Sequence, residues 1–348
     1  MSDIDALAGE RVLLVGIRGD THVGAHLDRA AGALGLDVTF CDSDEAYASP
    51  AWRLKLNWWL RGHRPPRLRE FSDHVVRTCR QLRPSWMLAT GLAPLDRRAL
   101  GAIAKLGVRR LNFLTDDPWN PAHRAPWFMH ALPLYDHVFS PRRANLDDLR
   151  RIGCPGVSYL PFAYAPEVHY ADPPASSEER VRFGSDVVFA GAADRDRVPY
   201  ISALARAGFK VGLYGKYWRR FPQTWNLGRG QADPPTLRKA IGGASVALCL
   251  VRRANRDGHS MRSFEVPAIG ACMLAEETPE HREIFGPDRE AVAYFGTIDE
   301  MVDALRWLVE HGEERRRLGR AAHRLICQGR HTYKDRLAAM LSQAGDGT

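Results

Sequence analysis

The residues best placed to do chemistry are gathered in Asp257-Gly258-His259-Ser260-Met261-Arg262-Ser263-Phe264-Glu265. A glycine sits where the chain must tighten. The apolar run Val266-Pro267-Ala268-Ile269-Gly270-Ala271-Cys272-Met273-Leu274 follows, and Ser245-Val246-Ala247-Leu248-Cys249-Leu250 comes before. A turn with close backbone approach, leading into a helix start, offers N–H groups and the positive end of a helix dipole. That chemistry suits a diphosphate. Arg262 and Glu265 are three residues apart and share a helix face. The guanidinium can meet phosphate, and the carboxylate can accept two hydrogen bonds from a ribose diol. Asp257 can accept from a sugar hydroxyl, and His259 is a donor for the same space. A purely structural reading stands beside this one: Asp257 or Ser260 caps the helix, and Glu265 pairs with Arg262.

The stretch needs a frame, and the chain supplies a strand–helix rhythm twice. In the first half, strands are expected at Arg11–Ile17, Val38–Cys41, Ser85–Thr90, Arg110–Leu114 and His137–Ser140. Helices fall between them, among them Leu68–Leu82 after the Pro65-Pro66 pair. Tyr159–Tyr170 and Asp172–Ser177, rich in proline and small residues, read as a connection. The rhythm then restarts. Asp186–Gly191 and Phe209–Gly215 are strands that end in glycine, Val246–Leu250 and Ala291–Phe295 are further strands, and Ile298–Glu310 is an amphipathic helix. Two α/β halves of doubly wound type follow from this order.

The first half holds a second candidate. The strand at Arg110–Leu114 runs into Thr115-Asp116-Asp117-Pro118-Trp119. Parallel sheets place ligands at the carboxyl ends of their strands. Asp116 and Asp117 there can orient or deprotonate a hydroxyl, or one caps the next helix while the other is solvated. The loop Gly16–Gly24 is not G-x-G-x-x-G, so a dinucleotide reading lacks its fingerprint although Asp42 follows the second strand. Trp52–Arg67 mixes tryptophans, including Trp58 and Trp59, with Arg and Lys and contains no acid. Such a composition suits a surface lying on anionic headgroups, or else a helix whose aromatic face packs on its own domain.

Composition narrows the class. At 348 residues, with 45% hydrophobic residues, two cores are expected. A net charge of +8 favours an anionic partner without naming it. No apolar run is long enough to span a membrane, and the acidic start Met1-Ser2-Asp3-Ile4-Asp5 lacks a signal-peptide pattern. The six cysteines are far apart with no C-x-x-C, which argues against a disulfide framework or a zinc site and fits a reducing cytoplasm.

With these residues in view, the chain resembles glycosyltransferases. Asp257 with Glu265 is similar to the E-x7-E signature of retaining glycosyltransferase family 4, with Asp for the first Glu. Arg262–Ala271, followed by Thr278-Pro279-Glu280-His281-Arg282-Glu283, resembles more closely the bacterial-type CgeB-like glycosyltransferases. Asp186–Gly191, Leu213-Tyr214-Gly215 with Trp218, Tyr159–Ala163 and Thr115–Trp119 resemble further motifs of that group. The likeness covers most of residues 110–340 and is weak over 1–80.

The resemblance implies an α/β GT-B fold, with two facing Rossmann-like domains and an interdomain cleft. It implies an acceptor-side domain over 1–165, a donor domain over 166–330, and a C-terminal helix over 331–348 returning to the first domain. Glu265 would hold the ribose, with Asp257, Gly258 and His259 near sugar and diphosphate. Gly191 matches the family's glycine and Arg197 its Lys position. The family's Arg is Ala192 here, so Arg195 or Arg262 would stand in. Gly215 and Trp218 complete the donor side, and Asp116, Asp117 and His259 are the catalytic candidates. The implied reaction moves a sugar from a nucleotide-sugar donor to an acceptor that is a glycan, lipid-linked or a small molecule. It runs with retention, without metal or resident cofactor. Cysteine usage places the chain in the cytoplasm, and the Trp/Arg composition of 52–67 adds a peripheral position at the inner face of an anionic membrane.

Two rival functions also match parts of the sequence. A metal-dependent GT-A transferase would use Asp42-Ser43-Asp44 or Asp194-Arg195-Asp196 as its D-x-D. A nucleic-acid binder would exploit the charge, but no binding module is present.

Overall fold

The run Val12-Leu13-Leu14-Val15 is buried on both faces, as an inner strand of a parallel sheet must be. It forms β1 (Arg11–Gly16) in the structure, a computed structural model that describes residues 9–345. The start Met1–Asp5 and the last three residues of the 331–348 segment lie outside the described residues. The chain divides into two units, Met1–Pro161 with Tyr333–Thr348, and Phe162–Thr332.

In the first unit β1 is followed by α1 (Val23–Ala33), β2 (Asp37–Asp42), α2 (Ala51–Leu60), α3 (Leu68–Leu82), β3 (Trp86–Thr90), α4 (Arg97–Ala104) and β4 (Arg109–Phe113). Then come α5 (Pro126–Met129), β5 (His137–Ser140), α6 (Leu146–Arg151) and β6 (Val157–Tyr159). All six strands are parallel, in the order β2-β1-β3-β4-β5-β6. Val12 sits in register between Val38 and Trp86. Leu13, Val75, Met87, Leu100, Phe128 and Val138 belong to one buried core.

The second unit contains α7 (Ser177–Phe183), β7 (Ser185–Ala190), α8 (Val198–Arg206), β8 (Val211–Tyr214), α9 (Pro234–Gly243) and β9 (Ala244–Cys249). It continues with α10 (Arg262–Ile269), β10 (Met273–Glu276), α11 (Pro279–Phe285), β11 (Ala293–Phe295), α12 (Ile298–Glu310) and α13 (Gly312–Gln328). Its five strands are parallel in the order β11-β10-β9-β7-β8. Phe189, Ile201, Leu213, Trp218, Leu248 and Leu274 anchor its core. Helix starts are set by local chemistry. Asp233, Thr278 and Thr297 accept from the backbone at the starts of α9, α11 and α12, and Thr297 with Glu300 completes a capping box. The chain ends as α14 (Tyr333–Gly345) in the first unit. Tyr333 stacks on His26 of α1 at 5.0 Å, and Arg336 Nε donates to Pro161 O at 2.9 Å.

The proline-rich connection is more ordered than its composition suggests. It begins with the last residue of β6 and ends in α7, which Ser176 caps by accepting from Glu179 N. The six cysteines are all thiols, and five are buried. Burial pushes the Cys41 thiol up to about 11 and those of Cys79 and Cys272 to about 12. No helix among the described residues is long and apolar enough to cross a membrane.

The ends of β7 and β8 touch through glycine. Gly215 has φ +139°, and a Cβ there would lie 1.9 Å from the carbonyl oxygen of Gly191. Both glycines directly follow paired strands and are held by backbone hydrogen bonds, Gly191 N to Tyr214 O at 2.9 Å and Gly215 N to Gly230 O at 2.7 Å, so neither yields easily. Gly215→Ala is expected to destabilise the second unit by about 3 kcal/mol or more. Gly208→Ala (φ +87°, open space around its Cβ) is expected to cost only about 1 kcal/mol. Urea midpoints of the two variants check the contrast; equal midpoints would contradict it.

Candidate functional site

In the second unit the strand order reverses between β7 and β9: β8 lies on one side and β10 on the other. Ligands of open parallel sheets sit at such a switch point, outside the carboxyl ends of the strands. The residues found there are Gly191 after β7 and Leu250 after β9. Gly191 N donates to Tyr214 O at 2.9 Å, and its carbonyl accepts from Trp218 Nε1 at 2.9 Å. Trp218 is buried, edge-on to Phe189 at 5.8 Å. Its indole N–H is thus committed to the glycine turn, and it supports that turn from the core side.

Arg197 opens α8 from the same turn. Asp194 Oδ1 accepts from the backbone N–H of both Asp196 (3.0 Å) and Arg197 (2.9 Å). The Arg197 guanidinium is buried and donates to Ala192 O and Leu250 O, each at 3.3 Å. It therefore ties the end of β7 to the end of β9. Burial, then the neighbouring charge of Arg252, pulls its pKa below the usual guanidinium value. An arginine stays protonated through such a shift. Arg195 is exposed beside it. Asp194-Arg195-Asp196 is thus a capping turn. Asp42-Ser43-Asp44 is another, with Asp42 Oδ1 accepting from Asp44 N at 3.1 Å.

Glu265 lies in the first turn of α10 and is 1% exposed. A buried carboxylate needs a counter-charge. Arg262 Nη1 pairs with Glu265 Oε2, and His169 Nε2 lies 3.5 Å from Oε1. Arg262 Nε also donates to Ala190 O at 3.1 Å, so the ion pair is fastened to the end of β7. The Arg262 side chain is 28% exposed. Of the pair, the arginine side chain reaches solvent and the carboxylate does not.

The turn that carries these residues is pinned from α11. Gly258 O accepts from Thr278 Oγ1, whose oxygen in turn accepts from His281 N at 3.0 Å. A Cβ on Gly258 would come within 2.0–2.4 Å of the Glu280 carboxyl group, so the backbone packs directly on that side chain. His281 Nδ1 is 2.7 Å from Glu276 O, which can only accept, so Nδ1 carries the proton. Its Nε2 then accepts from Ser263 Oγ at 2.8 Å, and Ser263 Oγ accepts from Ser260 N at 3.1 Å. His281 is fully buried, and burial holds its pKa below that of an ordinary imidazole.

His259 departs from its expected role as a donor into the site. It is buried between Phe162 and Phe264, edge-on to both, and its Nε2 accepts from Phe162 N at 3.2 Å. Asp257 is half-buried, with its N–H on Arg252 O at 3.2 Å and its carboxylate close enough to Arg197 to interact electrostatically. Glu276 was not singled out from the sequence. It ends β10, buried, and accepts from Val251 N at 3.2 Å and Arg253 Nη2 at 3.0 Å. An acid closing the apolar run Met273-Leu274-Ala275 was the available signal.

Gly191, Arg197, Gly215, Trp218, Asp257, Gly258, His259, Arg262 and Glu265 all belong to the second unit. Asp116 and Asp117 belong to the first. Asp117 is buried, and its Oδ1 accepts from Trp119 N and Asn145 Nδ2, each at 2.9 Å. Arg142 donates to Thr115 O at 2.8 Å. Asp117 therefore holds the turn, while Asp116 is half-exposed beside Gly91. Among the described residues, no group of three or more His, Cys, Asp or Glu could hold a metal ion.

Residues 197–342 match a family described as glycosyl transferase-like. No curated protein sequence matches the chain. Solved structures match over nearly all of it. Sucrose-phosphate synthase from Thermosynechococcus elongatus is 13% identical with TM-score 0.65, covering 96% of this chain and 98% of that one. HepE from Anabaena, crystallised with UDP-glucose, is 14% identical with TM-score 0.63 (96% and 99%). A putative UDP-N-acetylglucosamine 2-epimerase from Listeria monocytogenes is 12% identical with TM-score 0.56 (98% and 98%). The fold is GT-B. Its two parallel-sheet α/β units are not the GT-A design that the D-x-D pairs could have served.

The buried imidazole of His281 gives a pH signature. Its folded pKa lies below the ordinary 6.5, so under acid the unfolded chain binds a proton that the folded chain resists. The stabilisation is fully present above pH 6.5 and is lost as pH falls towards the folded pKa. His281→Gln should cost about 2 kcal/mol at pH 8, and the gap from wild type should narrow towards pH 5. Tm measured across this range checks it; a gap independent of pH would overturn the assignment.

Proposed function

We propose that the chain is a glycosyltransferase that moves a sugar from a nucleoside-diphosphate sugar to an acceptor hydroxyl, with retention and with no metal in the transfer step. The observation that carries this reading is the pair of guanidinium groups, Arg197 and Arg262, tied to Leu250 O and Ala190 O at the switch point of the second sheet. Departure of a nucleoside diphosphate builds negative charge on its outer phosphate. Cations held in place before the reaction stabilise that charge without reorganising, and one such donor is worth about 3 kcal/mol. The N-termini of α8 and α10 face the same edge and add their dipoles.

Glu265 is proposed to hold the ribose diol. Arg262 pairs with Glu265 in the structure, so binding of the donor would make the two exchange partners. The diphosphate takes the guanidinium, and the diol takes the carboxylate. Each buried charge then keeps a partner throughout, which is the condition for such an exchange to be inexpensive. Asp257 is proposed to accept from a hydroxyl of the sugar. Gly258 keeps the backbone close at that point, and Gly191, Gly215 and Trp218 hold the glycine turn. Asp116 is proposed to orient the acceptor hydroxyl, with Asp117 and His259 as positioning residues.

The match over residues 197–342 supports transfer, whereas the fold by itself also accommodates a putative epimerase. UDP is the first nucleotide to try, since HepE was crystallised with UDP-glucose. A thermal-shift screen of UDP, GDP, ADP and dTDP tests the site. At a hundred times its dissociation constant the right nucleotide adds about 2.7 kcal/mol, a rise of roughly 5 °C. Arg262→Ala should abolish the shift, and Glu265→Gln should cut sugar transfer by about 100-fold while leaving the Tm of the free protein within a few degrees. No shift with any of the four diphosphates, or full transfer by Glu265→Gln, would sink the reading.

A further inference from the structure

The segment around α2 is left unused by the donor site, and it is unlike the rest of the surface. Between residues 46 and 69 there are six Lys or Arg and no acid. At 3.6 residues per turn, Trp52, Leu56, Trp59 and Leu60 fall on one face of α2. They are 67%, 44%, 79% and 75% exposed. Arg53 and Lys55 lie on the two flanks of this ridge. On the other side Asn57 is the one buried residue of the helix, and its Nδ2 donates back to Arg53 O of the same helix at 2.9 Å. Trp58, on that side, stacks on His63 at 4.1 Å, and His63 O accepts from Trp127 Nε1 at 3.4 Å. The helix is thus tied down at Asn57 and, just past its end, through His63, and presents a ridge of two tryptophans and two leucines on its other side.

At the foot of α2 lies an open basin of about 630 Å³ lined by Ser49, Arg53, Arg67, Arg69, Glu70 and Asp73. Its two carboxylates are already taken, Glu70 by Arg67 and Asp73 by Arg98. The basin is wide enough for a phosphate headgroup.

We propose that α2 is a membrane-docking surface that lies in the plane of an anionic phospholipid bilayer, with Trp52, Leu56, Trp59 and Leu60 in the interface and Arg53 and Lys55 on flanking headgroup phosphates. An apolar ridge bordered on both sides by cations is the pattern of an interfacial helix, and tryptophan favours that depth. Charge decides between occupants. A second copy of the chain would bring its own cations against these, whereas an anionic bilayer offers apolar depth and negative charge together. The inference stands apart from the transfer reaction, because docking is read without donor or acceptor.

The full chain is sedimented with vesicles of phosphatidylcholine and with vesicles of phosphatidylcholine and phosphatidylglycerol. It should pellet with the anionic vesicles and little with the neutral ones, and its tryptophan emission should shift to the blue on binding. Added salt should weaken binding. Arg53→Gln with Lys55→Gln should lower partitioning by roughly 25-fold, about fivefold for each cation. Trp52→Ser with Trp59→Ser should lower it by roughly tenfold or more and remove the blue shift. Each pair is exposed, so an unchanged Tm certifies the fold. Failure of the wild type to pellet with anionic vesicles, or pelleting unaffected by both double variants, overturns the proposal. So does a dimer in vesicle-free solution that Trp52→Ser with Trp59→Ser dissolves, since the ridge would then be covered by a second copy.

Discussion

A carboxylate buried to 1% is the constraint on which the site in the second unit depends. Leaving Glu265 unpaired would cost several kcal/mol, so the fold must bring a cation to it. Arg262, three residues earlier, can do so only if the first turn of α10 is already helical at Arg262. That same arginine reaches Ala190 O, which fixes the start of α10 against the end of β7. The turn before it must then be short and rigid. Thr278 on Gly258 O and His281 on Ser263 Oγ provide that rigidity. The Thr278-Pro279-Glu280-His281 segment and the Arg262–Glu265 segment are thus two halves of one construction, although they are separated in sequence.

The two sheets share a topology but differ in the chemistry at their carboxyl edges. In the second unit, arginines are spent on carbonyl oxygens at the strand ends, which leaves positive charge fixed at the edge. In the first, Arg142 is likewise spent on Leu114 O and Thr115 O, but the charge it fixes lies beneath a turn that carries two aspartates. Asp117 is consumed within that turn, and Asp116 alone is left half-exposed. The edge of the second unit thus carries anchored positive charge and that of the first a half-exposed carboxylate, which is the contrast that the proposed donor and acceptor roles rest on.

Local patterns made much of the fold legible. Leu68–Leu82 and Ile298–Glu310 have the bounds expected from their sequence, because periodicity and end signals are local properties. The strands at 137–140 and 186–190 were legible as short apolar runs closed by small or polar residues. What stayed hidden depends on contacts far along the chain. The i, i+3 spacing of Arg262 and Glu265 was compatible with an ion pair or with two ligand-facing groups, and only the burial of Glu265 against Arg262 distinguishes the two. His259 accepts from a backbone N–H 97 residues away, which no local pattern reports. Trp218 was visible as part of a turn, but its indole partner is Gly191 O, 27 residues earlier. Glu276 closes the apolar run of β10, but the Val251 N and Arg253 groups it accepts from lie 25 and 23 residues earlier.

The charge of +8 is therefore not one property. At the switch point, guanidinium groups are partly or wholly withdrawn from water and held by carbonyl oxygens. Their geometry is set during folding, and charge so placed acts at full strength at short range because little water or salt intervenes. Around α2 the cations remain in water, where screening limits each to short reach and they act together as a field. The same residue type is thus suited to local stabilisation in one place and to collective attraction in the other. Composition alone reports only the sum; burial separates the two uses. An excess of arginine spread along the whole chain thus takes two physical forms, single guanidinium groups anchored on carbonyl oxygens and an exposed array around α2, and the two proposed sites rest on that difference.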